Sequence, residues 1–316
     1  MDQRYMPLLG RQLYVERHGN PEYLPLLYLH GGPGEGAYEF LRHQGPRLAQ
    51  HLHLIALDQR GVWRSAALAE GESLSPGDLV EDCEALRRRL AIPQWSILGH
   101  SFGAYLAVQY AVTYPNAVTA LLLEGAALDL ADSIASLLEH AAVLFDRHGH
   151  ADHARRCYEA ARQPDPDQRM AVFLDVGPDL GDDRSLLYLP NGGDNYGTLP
   201  FAQAELEHLG AQAARHLDSL RANREMYQSL LPRLHELDMP ICWIQGELDP
   251  VATRTQRAAL MTALPSATVI VFPGIGHLPH YEVADGFTHA VTQFLFGGLP
   301  FPPITPATTD PDSPSR

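Results

Sequence analysis

The stretch Leu98-Gly-His-Ser-Phe-Gly103 sets a serine between two glycines, in the pattern G-x-S-x-G around Ser101. A serine hydroxyl is a weak nucleophile until a base takes its proton, and that base needs a third group to orient it. Both partners occur downstream. Asp249 closes the run Ile241-Cys-Trp-Ile-Gln-Gly-Glu-Leu-Asp249, and His277 closes Val271-Phe-Pro-Gly-Ile-Gly-His277. Each of the three follows a β-rich run, in the chain order Ser, Asp, His. In such a set Ser101 attacks, His277 accepts and returns the proton, and Asp249 fixes the histidine tautomer and stabilises the imidazolium. Alone, Ser101 reads more readily as an ordinary helix-capping serine, and it is Asp249, His277 and HGGPG together that favour the nucleophile. Glu247 competes with Asp249, and His280 with His277. The Gly-Ile-Gly lead-in favours His277, which leaves His280 on the surface or lining a pocket.

Acyl transfer also needs donors for the oxyanion, each worth roughly 3 kcal/mol. One candidate is the backbone N–H of Phe102, directly after the serine. The other is expected in His30-Gly-Gly-Pro-Gly34, where the lack of Cβ lets amides approach a substrate closely. Gly32 is the first choice there and Gly31 the second.

A different chemistry is suggested by His148-Gly-His-Ala-Asp-His153, since imidazoles with a carboxylate suit zinc. The context argues against it. The pattern sits between helical stretches and not after a buried strand, and His208, His216 and His235 fall in helical sequence. A polar helix–turn–helix junction explains it better, so no metal and no cofactor is expected.

The elements that must carry these residues are legible as alternation. Apolar runs at 24–29, 53–57, 95–98, 118–123, 241–245 and 268–272 have few polar interruptions, as strands buried on both faces do. Helical stretches lie between them. Pro76–Leu90 carries acids early and arginines late, matching the helix dipole, and Phe102–Tyr114 stops at Pro115. The fold class is therefore α/β, with a mostly parallel central sheet and helices on both faces. From 129 to 231 the rhythm breaks into helices (131–145, 152–161, 202–231) around a Gly/Asp-rich loop at 177–197. The expected organisation is a core of residues 1–128 and 232–297, a helical cap at 129–231, and a disordered Pro/Thr/Ser-rich tail at 298–316.

Composition removes other classes. With 45% hydrophobic and 19% charged residues the 316-residue chain is globular. A net charge of -15 speaks against nucleic acid and anionic membranes as partners. All 23 basic residues are arginine, so Schiff-base chemistry and a Walker A loop are out of reach. Three scattered cysteines (Cys83, Cys157, Cys242), with no long apolar segment, point to a reducing cytoplasm.

Taken together, HGGPG (30–34), DQRGVWRS (58–65), GHSFG (99–103), GELD (246–249) and GIGH (274–277) resemble the α/β-hydrolase superfamily, and within it the proline iminopeptidase-like branch. The resemblance covers about 12–296, including the position of the cap, and its GxxD pattern favours Asp249 as the triad acid. It implies an acyl-enzyme hydrolase with the triad Ser101, Asp249, His277 and an oxyanion hole of Gly32 and Phe102. The implied substrate is a short peptide or amino-acid amide with a small N-terminal residue such as proline. Two positions depart from the family. Trp63 stands where glycine is usual, to reshape the pocket or pack under the cap. Pro250 follows the triad acid, where it cannot help hold a substrate ammonium. Asp218 and Glu225, in the last cap helix, are the remaining candidates for that task. The rival readings are a small-molecule esterase or lactonase without an ammonium site, and a ligand-binding scaffold that turns over poorly. Asp58 and Arg60 are expected to hold the loop after their strand, through a carboxylate–guanidinium contact or backbone bonds. His30 is expected to matter for its place beside the oxyanion loop.

Overall fold

The computed structural model describes residues 2–193 and 199–297. Its strands are β1 (Asp2–Leu8), β2 (Arg11–His18), β3 (Pro25–Leu29), β4 (His53–Leu57), β5 (Trp95–His100), β6 (Val118–Glu124), β7 (Ile241–Gly246) and β8 (Thr268–Phe272). They form one sheet in the order β1-β2-β4-β3-β5-β6-β7-β8. From β4 to β8 all pairs are parallel, while β1–β2 and β2–β4 are antiparallel.

The apolar runs are continuous because the sheet is covered twice. In β3, Leu27 and Leu29 enter one hydrophobic cluster while Leu26 and Tyr28 enter another on the opposite face. The helices α1 (Tyr38–Leu48), α2 (Pro76–Arg89) and α3 (Phe102–Thr113) follow β3, β4 and β5 in turn. Four helices, α4 (Leu130–Arg147), α5 (Ala151–Ala161), α6 (Pro166–Val176) and α7 (Gln203–Asn223), lie between β6 and β7. After β7 come α8 (Arg254–Ala263) and, beyond β8, α9 (Pro279–Glu282) and α10 (Ala284–Phe296). Phe40 and Leu48 of α1 pack with Phe287 and Val291 of α10 on one face. Leu79 of α2, Leu106 of α3 and Leu260 of α8 pack on the other. Each such leucine contributes about 1.5–3 kcal/mol of burial.

The strand order reverses direction at β3 and β5. Ligands of open α/β sheets bind outside the strands' carboxyl ends at such a switch point. The loops that leave β3 and β5 there carry His30–Gly34 and Ser101.

The structure departs from the sequence reading at the edges. The hairpin β1–β2 has no counterpart among the apolar runs, because Arg4, Gln12 and Glu16 interrupt it. β8 is an edge strand with Val271 38% exposed, so it is not buried on both faces. The stretch 202–231 is not one helix: α7 ends at Asn223, Arg224 takes a left-handed conformation, and short 3₁₀ turns follow. The tail expected to be disordered, 298–316, lies outside the described residues. Among the described residues no helix is long and apolar enough to cross a membrane.

Candidate active site

The passage from β5 into α3 is a sharp turn at Ser101, with φ 55° and ψ −119°. A capping serine has extended backbone and lends its oxygen to the first turn. Ser101 does neither, since its side chain makes no capping bond. A non-glycine residue held this way costs roughly 1–3 kcal/mol, so its surroundings must fix it. They do: the Ser101 N–H donates to the Glu124 carbonyl at 2.9 Å, and its own carbonyl accepts from Ala104 N at 3.0 Å. The flanking glycines are demanded by contact. A Cβ on Gly99 would stand 2.3 Å from the Gly103 carbonyl oxygen, and one on Gly103 2.0 Å from that of Leu29. The turn closes only because both side chains are missing.

Asp249 and His277 meet through a second close approach. A Cβ on Gly246 would lie 2.0 Å from the Gly276 oxygen, so the loops after β7 and β8 touch. That contact sets His277 Nδ1 3.0 Å from Asp249 Oδ1. The same carboxylate oxygen accepts from the N–H groups of Val251 at 2.7 Å and Ala252 at 3.3 Å. The His277 N–H donates to the Tyr188 carbonyl at 2.8 Å. Gly125, at the end of β6, leaves the imidazole its space: a Cβ there would be 2.8 Å from the ring. Burial disfavours the imidazolium of His277, but the Asp249 charge and hydrogen bond outweigh it and raise its pKa.

The rivals lie elsewhere. Glu247 accepts from Gly274 N at 3.0 Å and reaches no histidine, as its contacts run to the loop beyond β8. His280 is neither on the surface nor in the pocket. It is 2% exposed, and both its Nδ1 and its backbone N–H lie 2.9 Å from Glu124 Oε1. The helix start at Pro279 turns it inward. His100 packs between this pair and His277, with ring centroids 5.1 Å and 4.7 Å away. Burial first, and the nearby His277 second, push His100 down to about 4.

Gly31 presses directly on the serine turn, and Gly32 folds against its own loop. A Cβ on Gly31 would be 2.8 Å from Ser101 Cβ, and Gly32 has φ +107°. The His30 side chain ties this loop to the next: its Nε2 accepts from Gln59 N at 3.0 Å and its Nδ1 lies 3.0 Å from the Gly31 oxygen. Phe102 is the first residue of α3, so its N–H has no partner within the helix.

These pieces surround one cavity of about 330 Å³. Gly32, Pro33, Glu35, Ser101 and His277 line it from the sheet, and Ser185, Tyr188 and Leu189 from the segment between β6 and β7. The proposed ammonium holders are not there. Asp218 is 70% exposed and pairs with Arg221, while Glu225 is exposed beside Asn223. Trp63 is also absent from the lining; its ring packs on Gly36 and meets Phe201 edge-on at 5.5 Å. Asp58 and Arg60 hold their loop through carboxylate–guanidinium contacts, each with a different partner. Asp58 holds Arg64 at 2.6 Å and Ala37 N at 2.9 Å, while Arg60 grips Asp82 of α2 with two bonds of 2.6 Å. In the stretch 148–153, His148 pairs with Asp183, His153 with Asp179 and Asp152 with Arg155. Among the described residues no three His, Cys, Asp or Glu side chains are grouped to hold a metal ion.

The sequence profile of the alpha/beta hydrolase fold matches residues 25–284. The chain belongs to that family. It is 40% identical over 114 residues to the proline iminopeptidase of Neisseria meningitidis, a stretch covering 36% of each chain. The alignment thus spans about a third of the length of that relative. A longer match, 28% identical over 278 residues and 84% of both chains, is to a probable proline iminopeptidase of Leptolyngbya boryana. Among solved structures, a proline iminopeptidase-related protein from Thermus thermophilus superposes with a TM-score of 0.69 at 23% identity, covering 93% of this chain and 97% of that one. At that identity the likeness speaks for the fold alone.

Four residues of the site region went unread in the sequence. Glu35 follows the glycine loop directly, which was its signal. Glu124 and Gly125 close β6, where a buried run ending in Glu-Gly marks a strand tip. Tyr188 had no signal, because its contribution is a carbonyl.

Proposed function

We propose that this chain is a serine hydrolase that forms an acyl-enzyme on Ser101. His277 serves as general base and then general acid, Asp249 holds its Nδ1–H, and the N–H groups of Gly32 and Phe102 receive the oxyanion. Attack by the Ser101 oxygen on a carbonyl carbon moves the hydroxyl proton to His277 Nε2. The imidazolium returns that proton to the leaving amine or alkoxide as the bond to it breaks. Water, deprotonated by His277, then releases the acid and frees Ser101. No cofactor takes part in these steps. The helical segment 129–231 is read as a cap on the core of 1–128 and 232–297.

The observation that carries this reading is the left-handed backbone of Ser101 with no capping bond, in the same cavity as a histidine hydrogen-bonded to a buried aspartate. For the substrate, the iminopeptidase relatives favour a short peptide or amino-acid amide with a small N-terminal residue. A cavity of about 330 Å³ suits such a group. An ester or lactone substrate is the second reading, favoured by the position of Asp218 and Glu225 outside the cavity.

The test is a panel of proline and alanine arylamides beside short-chain nitrophenyl esters, run on the wild type and Ser101→Ala, with fluorophosphonate labelling. Labelling lost in Ser101→Ala, with turnover of either class lost alongside it, supports the mechanism. Turnover that survives the substitution refutes it. Cleavage of esters alone moves the chain to the second reading.

A further inference from the structure

We propose that Glu124 is the positioning residue that sets His277 against Ser101: its main-chain carbonyl holds the serine turn, and its buried carboxylate holds the loop that carries the base. This deepens the serine-hydrolase reading and rests on it.

The sheet register explains why one residue reaches both. Glu124 is the last residue of β6 and stands opposite His100 of β5 on one side and Ile244 of β7 on the other. Alternation along a strand gives Glu124 the face of Leu122 and His100 the face of Leu98. Both leucines pack toward α1 and α10. The two polar side chains therefore leave the strand tips into one apolar layer. There the His280 ring meets those of Phe40 and Phe287, with centroids 5.4 Å and 6.2 Å away.

Three links run from this layer to the triad. The Ser101 N–H donates to the Glu124 carbonyl at 2.9 Å. Glu124 Oε1 accepts from the main-chain N–H and the Nδ1–H of His280, three residues after His277, each at 2.9 Å. His100, next to Ser101 in the chain, donates from Nε2 to the His277 carbonyl at 3.2 Å. Glu282 also grips the loop, accepting from Gly276 N at 2.9 Å and Leu278 N at 3.4 Å. It belongs to the loop's own continuation, so it fixes the loop's shape and not its distance from the serine. Neither Glu124 nor His280 lines the Ser101 cavity, so neither acts by touching substrate. A carboxylate and an imidazole that are 0% and 2% exposed are also a poor source of stability, since apolar side chains of similar volume cost less to bury. The pair supplies a directional hold, which an apolar contact does not.

The experiment measures kcat and KM on whichever arylamide or nitrophenyl ester the wild type cleaves, in Glu124→Leu, Glu124→Gln, His280→Leu and His280→Asn, with urea melts to fix the folded fraction. Glu124→Leu should lower kcat about ten- to hundredfold at unchanged KM. His280→Leu, which keeps the main-chain bond, should lower it less. Glutamine keeps the acceptor and asparagine the donor, so Glu124→Gln and His280→Asn should each recover most of the loss. An unchanged kcat in folded Glu124→Leu overturns the proposal and leaves the seating to Glu282. A loss in Glu124→Gln equal to that in Glu124→Leu overturns it as well, because charge and not position is then at work, and so does a loss carried by KM. If Glu124→Leu does not fold, the His280 variants decide: kcat lost in His280→Leu and regained in His280→Asn supports the proposal, and equal kcat in the two overturns it. If the wild type cleaves nothing, the hydrolase reading fails by itself. The low-field proton NMR signal of the His277 Nδ1–H on Asp249 then decides for Glu124. A signal shifted or lost in the leucine variants and kept in Glu124→Gln and His280→Asn supports the seat, and one that is the same in all four refutes it.

Discussion

The cavity has two walls built on different principles. The sheet wall is made of backbone pressed against backbone: Gly99 on Gly103, Gly103 on Leu29, Gly246 on Gly276. Nothing there can shift by even a methyl group, and the result is placement of Ser101, Asp249 and His277 by the strand tips. The facing wall comes from the segment between β6 and β7, through Ser185, Tyr188 and Leu189, and meets the sheet wall at one backbone contact, Tyr188 on Gly276 and His277. Its shape depends on α4 and α6, against which the segment 177–187 packs. The difference separates two jobs, since chemistry requires fixed atoms and selectivity requires a surface that can vary.

That division can be broken at several levels. Ser101→Ala removes the oxygen proposed to attack and should lower kcat/KM by about 10⁴-fold or more, read from initial rates. Asp249→Asn should cost about as much, since it withdraws the acceptor that fixes the His277 tautomer. The pH profile checks the same pair. The base must be neutral, and Asp249 holds the His277 pKa above its ordinary value, so the rate should rise with pH through a midpoint above 6.5. In Asp249→Asn that midpoint should move to lower pH. Gly103→Ala should destabilise the fold by about 3 kcal/mol through forced backbone displacement, seen in urea melts, whereas alanine at exposed Gly210 of α7 meets nothing within 4 Å and should be tolerated.

Acid compares the walls in one measurement. His100 belongs to the sheet edge and His216 to α7, where its Nδ1–H donates to the Arg60 carbonyl at 2.8 Å. Burial lowers each to about 4. An unfolded histidine takes a proton near pH 6.5, so between 6.5 and 4 the unfolded chain binds more protons and stability falls as pH falls. Each group contributes about 1.4 kcal/mol per pH unit inside that window. Removing the α7 group by His216→Gln should reduce that slope, read from urea-derived stability, by about 1.4 kcal/mol per pH unit inside the window, while His30, His43 and His53, also lowered by burial, keep the remainder of the fall; an unchanged slope would mean that the insert does not share the acid sensitivity of the core. The smallest effect is expected at the facing wall. Leu189→Ala should change KM about tenfold, by lost apolar contact, and leave fluorophosphonate labelling of Ser101 in place.

The two walls also differ in how well the chain announces them. Ser101, Asp249 and His277 were legible because a strand tip that must turn without room needs glycine, and glycine leaves a pattern at fixed spacing. Gly32 was readable for the same reason. The strands β3 to β7 were plain because burial on two faces leaves continuous apolar runs; β8 left such a run although it lies at the edge, while β1 and β2 hid behind Arg4, Gln12 and Glu16. His280 was misplaced because nothing in HLPH reveals that Glu124, 156 residues earlier, receives it. Asp218 and Glu225 failed as pocket residues because a helical period says which face they share but not what that face meets. The break of α7 at Arg224 was equally silent: its left-handed turn has no glycine to mark it.

The bond from His277 N–H to the Tyr188 carbonyl joins the two walls mechanically. Tyr188 also lines the cavity, so one residue of the insert both shapes the space beside Ser101 and anchors the main chain of His277. A substitution that shifts the main chain at Tyr188 would therefore shift the backbone that seats the imidazole as well.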